Sequence, residues 1–422
     1  MSIANPPLSE EVPRSSRRLG TWGAIALSLL VFSGQLKATV LFSWLPIDLT
    51  LVTAGFVGLS MARSRFRGGA ASLYWFLPIL LWLAFLLPLI YSPPAIDFEK
   101  VALLFTVTFI LATAPFYILR TEPQRRAFLW ATAIIALVSS TVILTTGTTV
   151  QGYASRYIIE GTDSIGTARV AASGAVVCLL FALTRGLRVA DRTVGVAAGA
   201  GLMMVALTTG SRGPVLAAAF AIGLATLFSP AFKKYRVRVA VAVATVGVTT
   251  FVIASQQSSD GFDRILSFFS REDESTIARN VLSSEALSII EANPGGIGWG
   301  NFSIGNGQFR YPHNLFLEVP MEGGWLAAII MFVILAAAAV RYLLIPQDPT
   351  QVIMFALLVF AAINASVSSD VNGNRLLWVA MFAAFAVRRV QSDDLNPKDS
   401  VGYGSAQRGR PSATELTPVR RR

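Results

Sequence analysis

The chain has 422 residues, 54% hydrophobic and only 14% charged, with a formal net charge of +11 and a mean hydropathy of +0.59. That balance excludes an ordinary soluble domain and indicates a polytopic membrane protein. With one cysteine, Cys178, no intramolecular disulfide is possible.

From the N-terminus, residues 1–20 read as a cytoplasmic tail. Arg17-Arg18 ahead of an apolar run resembles an export signal, but no small-residue cleavage site follows, so an uncleaved first span is expected. Apolar runs then lie near 21–40, 43–62, 72–91, 101–119, 127–147, 165–184, 193–210, 214–229, 239–255, 324–343, 352–369 and 376–390, with Lys37 and Pro46 interrupting the first two. Runs of this length cross a bilayer as helices, giving about twelve transmembrane helices and an all-α fold. Alternate connections carry the basic residues, among them Arg63, Arg65 and Arg67, Arg120, Arg125 and Arg126, and Lys233 to Arg238. The positive-inside rule puts those connections and both termini in the cytoplasm. The excess charge is topological, and nucleic acid is not an expected partner. Cys178 falls inside an apolar run and reads as a small packing residue. The tail 391–422 is rich in Ser, Pro and Gly, ends in three arginines, and reads as disordered.

The expected outer connections are short except for one of about residues 256–312. A connection that long usually carries function. Inside it, Ala278, Val281, Leu282, Ala286 and Ile289 recur at helical spacing and predict an amphipathic helix over about 275–292, on the membrane surface or on the bundle. Pro294 and the run Gly295-Gly296-Ile297-Gly298-Trp299-Gly300 end it in an irregular turn. No strand precedes these glycines, so a nucleotide loop is excluded, and they read as backbone that lets a bulky ligand approach.

Four cations and one base stand on this expected outer side. Arg212, in Gly210-Ser211-Arg212-Gly213, runs against the inside bias of positive charge and offers a planar fork of donors to phosphate oxygens; snorkelling is the alternative. Arg169 is a similar case near the end of the sixth run, Arg279 lies on the amphipathic helix, and Arg310 ends the loop. The one histidine, His313, sits in Tyr311-Pro312-His313-Asn314 just before a membrane entry. It is the candidate proton-transfer group, against the alternative of a helix-cap or core histidine. Glu318 and Glu322, four apart, share a helical face, and Glu322 is expected either to pair with an arginine or orient His313, or to form a polar seam toward the loop. Asp97-Phe98-Glu99 is a weak acidic pair, and without further ligands no metal is expected.

Three strings together resemble the O-antigen ligase and polymerase family of bacterial envelope glycosyltransferases. They are Gly210-Ser211-Arg212-Gly213; Arg279 followed by Ile290-Glu291-Ala292-Asn293-Pro294-Gly295-Gly296-Ile297-Gly298-Trp299-Gly300-Asn301-Phe302; and Pro312-His313-Asn314-Leu315-Phe316-Leu317-Glu318, running through Glu322-Gly323-Gly324. The resemblance covers a core of about 195–345 within a single transmembrane domain, 21–390. It implies a fold like that of the polyprenyl-phosphate-sugar glycosyltransferases, in the bacterial inner membrane, with a periplasmic outer loop. It also implies a donor glycan on undecaprenyl pyrophosphate, a glycan or lipid-glycan acceptor with a free hydroxyl, and membrane lipid as surroundings. In that scheme Arg212 and Arg279 hold the pyrophosphate and His313 is the general base. Asn314, Glu322, Arg169 and Arg310 are supporting candidates. The donor is already activated, so neither a cofactor, a metal nor ATP is expected. The resemblance does not choose between ligase and repeat-unit polymerase. A lipid-linked sugar transporter would need ionisable residues near mid-membrane and two similar halves, and the sequence displays neither.

Overall fold

The computed structural model describes residues 14–37, 39–42, 44–66, 73–91, 97–149, 157–158, 163–184, 187–229, 232, 274–302, 311–344 and 348–386. The tail 391–422, the apolar run 239–255, Arg310 and the remaining parts of the long connection lie outside them. The described elements are almost entirely helical. We label α1 Arg14–Leu36, α2 Leu49–Phe66, α3 Phe76–Leu86, α4 Phe98–Ile118, α5 Glu122–Thr146, α6 Ser164–Ala182, α7 Val189–Thr208, α8 Arg212–Phe228, α9 Glu274–Ala292, α10 Leu315–Leu344, α11 Pro349–Ala365 and α12 Arg375–Ala386. One two-residue ladder, β1 Thr148–Thr149 against β2 Tyr157–Ile158, is antiparallel with Thr148 opposite Ile158.

The protein is a helical membrane protein. Among the described residues, five helices (α4, α5, α6, α7 and α10) are long and apolar enough to cross a bilayer. Five further apolar segments, Gly20–Leu36, Phe76–Ile90, Arg212–Phe228, Pro349–Ala365 and Arg375–Ala386, are shorter. Among the described residues helices occupy the expected positions, and length and composition alone qualify five of them as spans; the expected run 239–255 lies outside the described residues. Large apolar side chains such as Ile134, Leu216, Phe220, Ile329 and Val333 stay exposed, as hydrocarbon solvent permits.

Side-chain caps start several helices where the sequence leaves the apolar runs. Asp97 accepts from Lys100 N–H, Asp163 from Gly166 N–H and Asp348 from Gln351 N–H. Asp97 is therefore a helix cap. α6 is among the most deeply packed helices, against α5, α7, α8 and α11, and its small residues Ala168, Ala171, Ala172 and Ala175 are buried. The side chains of α12 are buried from Leu376 to Ala386.

Polar ties gather at two ends of the helices. At one, Arg125 of α5 pairs with Asp348 ahead of α11 at 2.6 Å and donates to Thr350 at 3.1 Å, and Arg341 of α10 donates to Ala384 O at 2.8 Å and stacks over Tyr74. This end holds basic connections that the sequence assigns to the cytoplasm. At the other, Arg375 of α12 donates to Leu30 O and Ser33 of α1, Gln35 donates to Asp163, and Ser211 meets Ser164 at 3.2 Å. His313 lies at this second end.

α10 starts at Leu315, nine residues before the expected run at 324, and its backbone leaves helical geometry at Gly324 (φ 79°, ψ 168°). The break divides a stub, 315–323, from the long remainder. The carbonyls it releases are taken up by the glycine turn, where Ile297 N–H donates to Met321 O at 2.9 Å and Gly298 N–H to Glu322 O at 3.0 Å, and the freed Trp325 N–H donates to Pro294 O at 3.0 Å. A Cβ on Gly296 would stand 2.5 Å from Gly324 N, and one on Gly324 would stand 2.4 Å from Gly295 O. Gly296 and Gly324 are thus required by close approach to the chain's own backbone.

Candidate active site

α9 occurs where the sequence predicts it. Its buried stripe is Leu282, Ala286 and Ile290, packed on Phe302 and on Met321 of the stub, while Val281 of the expected face is exposed. It therefore rests on the protein, with Arg279 half-buried one turn before Leu282.

His313 immediately precedes the cap of α10. Asn314 Oδ1 accepts from Phe316 N–H at 2.9 Å, and its carbonyl accepts from Glu318 N–H at 2.9 Å. The helix-cap role therefore belongs to Asn314. His313 itself adopts φ 56°, a left-handed conformation uncommon outside glycine and often found where a side chain must be aimed. Its half-buried ring meets Tyr311 edge-on at a centroid distance of 4.6 Å. Burial lowers the imidazole pKa from its ordinary value, the Arg279 guanidinium lowers it further, and Asp163 and Asp370 oppose them. Burial together with Asp370, Asp163 and Glu318 pushes the Tyr311 phenol up to about 12, so it remains a hydrogen-bond donor.

Arg169 points to the same place. Its Nη2 donates to Asn364 O at 2.7 Å and Ser368 O at 2.9 Å, the carboxyl end of α11, and Asp163, Tyr311 and Asp370 are its electrostatic neighbours. Part of its donor fork is thus committed to the fold. Arg212 is the exposed first residue of α8, and its neighbour Ser211 bonds Ser164 beside Asp163. A cation at a helix amino end opposes the helix dipole, an arrangement that an anion would relieve. His313 and Arg169 therefore share Asp163, Asp370 and Tyr311 as neighbours, Arg279 faces His313, and Arg212 borders the group through Ser211 and Ser164.

Glu322 departs from the expected pairing. Lys100 of α4 reaches Glu318 Oε1 at 2.7 Å and Glu322 Oε2 at 2.6 Å, with both carboxylates fully buried. The partner is a lysine 222 residues away, not an arginine. The shared face of the two glutamates holds, but it is turned inward. Asn372 donates to Lys100 O at 2.9 Å and accepts from Thr108 at 2.7 Å, where α4 widens into a π-helical turn, Leu104–Thr108. Ionisable groups thus do enter helices of span length, near their first turns.

The sequence reading passed over Lys100, Asp163, Asp370 and Tyr311. Lys100 adjoins the acidic pair at 97–99, and a lysine opening an apolar run was itself a signal. Asp370 sat in the turn-forming string Ser368-Ser369-Asp370-Val371-Asn372-Gly373-Asn374.

Comparison with known proteins assigns residues 195–332, from α7 into α10, to the O-antigen ligase family model Wzy_C. No curated protein matches the chain. The matched segment contains Arg212, Arg279 and His313 together with Glu318 and Glu322, while Lys100, Arg169 and Asp370 come from outside it. The similarity to the O-antigen ligase family thus lies in the segment 195–332.

Proposed function

We propose that the protein is an integral-membrane glycosyltransferase that moves a glycan from undecaprenyl pyrophosphate to a hydroxyl acceptor at the outer face of the bacterial inner membrane. The observation that carries this reading is His313. It is aimed by a left-handed turn, half-buried, and held toward its neutral form beside Arg279. A neutral imidazole next to a guanidinium suits a base that works beside an anion.

In the proposed reaction His313 takes the proton of the acceptor hydroxyl as its oxygen attacks the anomeric carbon. The bond from that carbon to the phosphate oxygen breaks, and the diphosphate leaves with the electron pair. Arg212 and Arg279 stabilise the charge that develops on it, a contribution that is often large in a water-poor site. A single displacement of this kind inverts the anomeric centre and uses neither ATP nor a metal. The proposed setting has about twelve crossings with both termini in the cytoplasm. The separation of basic connections from the His313 end supports it.

Ligase and polymerase differ only in the acceptor. The ligase reading is preferred because it matches the family's description. The test is to supply the purified protein, in vesicles, with a lipid-linked glycan and a lipid A–core acceptor. Release of undecaprenyl pyrophosphate with glycan joined to the core is expected. Lipid-linked chains growing without the core would transfer the reading to polymerase, and no release with either acceptor would contradict it.

A further inference from the structure

His313 directly precedes the stub at 315–323, and Arg279 lies on the helix that packs against it. The imidazole stands at its first turn, and the helix of Arg279 packs on it through Leu282, Ala286 and Met321. The break at Gly324 frees the stub from the direction of the long part of α10. Its orientation must come from other ties. The glycine turn supplies backbone bonds, but that turn belongs to the same unit as α9. Besides the burial of Leu315 and Val319 in the main apolar core, two polar contacts among the described residues reach the surrounding helices: Trp299 Nε1–H donates to Phe85 O of α3 at 2.8 Å, and Lys100 of α4 holds Glu318 and Glu322. Glu318 Oε2 and Glu322 Oε1 are buried without any hydrogen bond, so the Lys100 ammonium is the principal support of both carboxylates. Asn372 in turn ties the backbone of Lys100 to the loop of Asp370.

We propose that Lys100 is a positioning residue for glycan transfer: through Glu318 and Glu322 it anchors the stub that carries His313 and docks the helix of Arg279. The proposal rests on the reading of His313 as base. Lys100 touches neither donor nor acceptor in this scheme. It fixes the distances from the imidazole to Arg279 on α9, Asp163 ahead of α6, Asp370 in the α11–α12 loop and Tyr311 in its own segment. Reacting groups need such fixing, because displacements near an ångström are enough to cost large rate factors.

The test uses full-length protein in vesicles. Lys100→Gln alone leaves two uncompensated buried carboxylates and is liable to misfold. The decisive variant is therefore the neutral triple Lys100→Gln/Glu318→Gln/Glu322→Gln, with Lys100→Arg as the conservative control. We expect the triple variant to insert and remain folded, with kcat per folded molecule lowered by roughly 10²-fold. The acid limb of its pH profile should move upward, as a loosened imidazole regains water. Lys100→Arg should retain much of the activity. A merely structural triad would change the yield of folded protein and leave kcat and the limb alone, and that result in the triple variant would overturn the proposal. A His313→Ala protein that still transfers glycan would overturn the base reading beneath it.

Discussion

An imidazole accepts a proton only while neutral, and the surroundings of His313 favour that form. Burial and the Arg279 guanidinium both hold its pKa below the ordinary value, against the pull of Asp163 and Asp370. The neutral base therefore persists below the ordinary histidine pKa of about 6.5, and activity is lost only as pH falls through the lowered value. In a kcat/KM profile the acid limb should lie below that ordinary position. Arg279→Gln removes one of the two lowering causes, so the limb should move up; Asp370→Asn removes an opposing one, so it should move down. A limb unmoved by Arg279→Gln would separate the two residues. A bound diphosphate adds negative charge beside the ring, so the limb of kcat should lie higher than that of kcat/KM. The sequence made His313 legible because a lone imidazole beside an apolar run is conspicuous. Its tuning was not legible, because Asp163 and Asp370 reach it from distant turns whose residues are ordinary helix and loop caps.

Helices were legible wherever a long apolar run carried its own signal. They were misjudged where polar residues are buried by partners remote in sequence. α10 illustrates the difference. Glu318 and Glu322 kept residues 315–323 out of the expected run at 324, yet their shared helical face is buried, with the Lys100 ammonium of a helix remote in sequence pairing both. Removing Lys100 while keeping both glutamates should cost about 3–5 kcal/mol of stability, the usual consequence of stranding a buried charge. The glycine turn is the irregular stop that its sequence predicts. It is a lock, since its N–H groups fill the acceptors released by the break in α10. Gly324→Ala tests this. The left-handed backbone alone penalises alanine by about 1–3 kcal/mol. The new Cβ would also press on Gly295 O at 2.4 Å. Loss of protein from the membrane, or a sharply lower melting temperature, is expected. A stable, active Gly324→Ala protein would show that the turn does not lock the stub.

At the scale of the molecule, charge is sorted rather than spread. Arg125, Asp348 and Arg341 tie connections together at one end, while Arg169, Arg279, Arg212 and His313 belong to the other. A cationic site at one end of an apolar bundle suits a lipid whose diphosphate lies at the interface while its chain stays in hydrocarbon. Asp163 and Asp370 stand opposite Arg169 and His313, while Glu318 and Glu322 pair with Lys100. The membrane class and the family core were legible from composition and three short strings. The assembly of one site from α4, α6, α8, α9, α10 and the α11–α12 loop was not, because only folding brings those segments together. The account's central claim is that His313 is the base of a glycan transfer, and its most direct test is the transfer rate of reconstituted His313→Ala with a lipid-linked donor and its acceptor. The account predicts a fall of roughly 10²–10⁴-fold with protein level and membrane insertion unchanged. Transfer at close to the wild-type rate would contradict it.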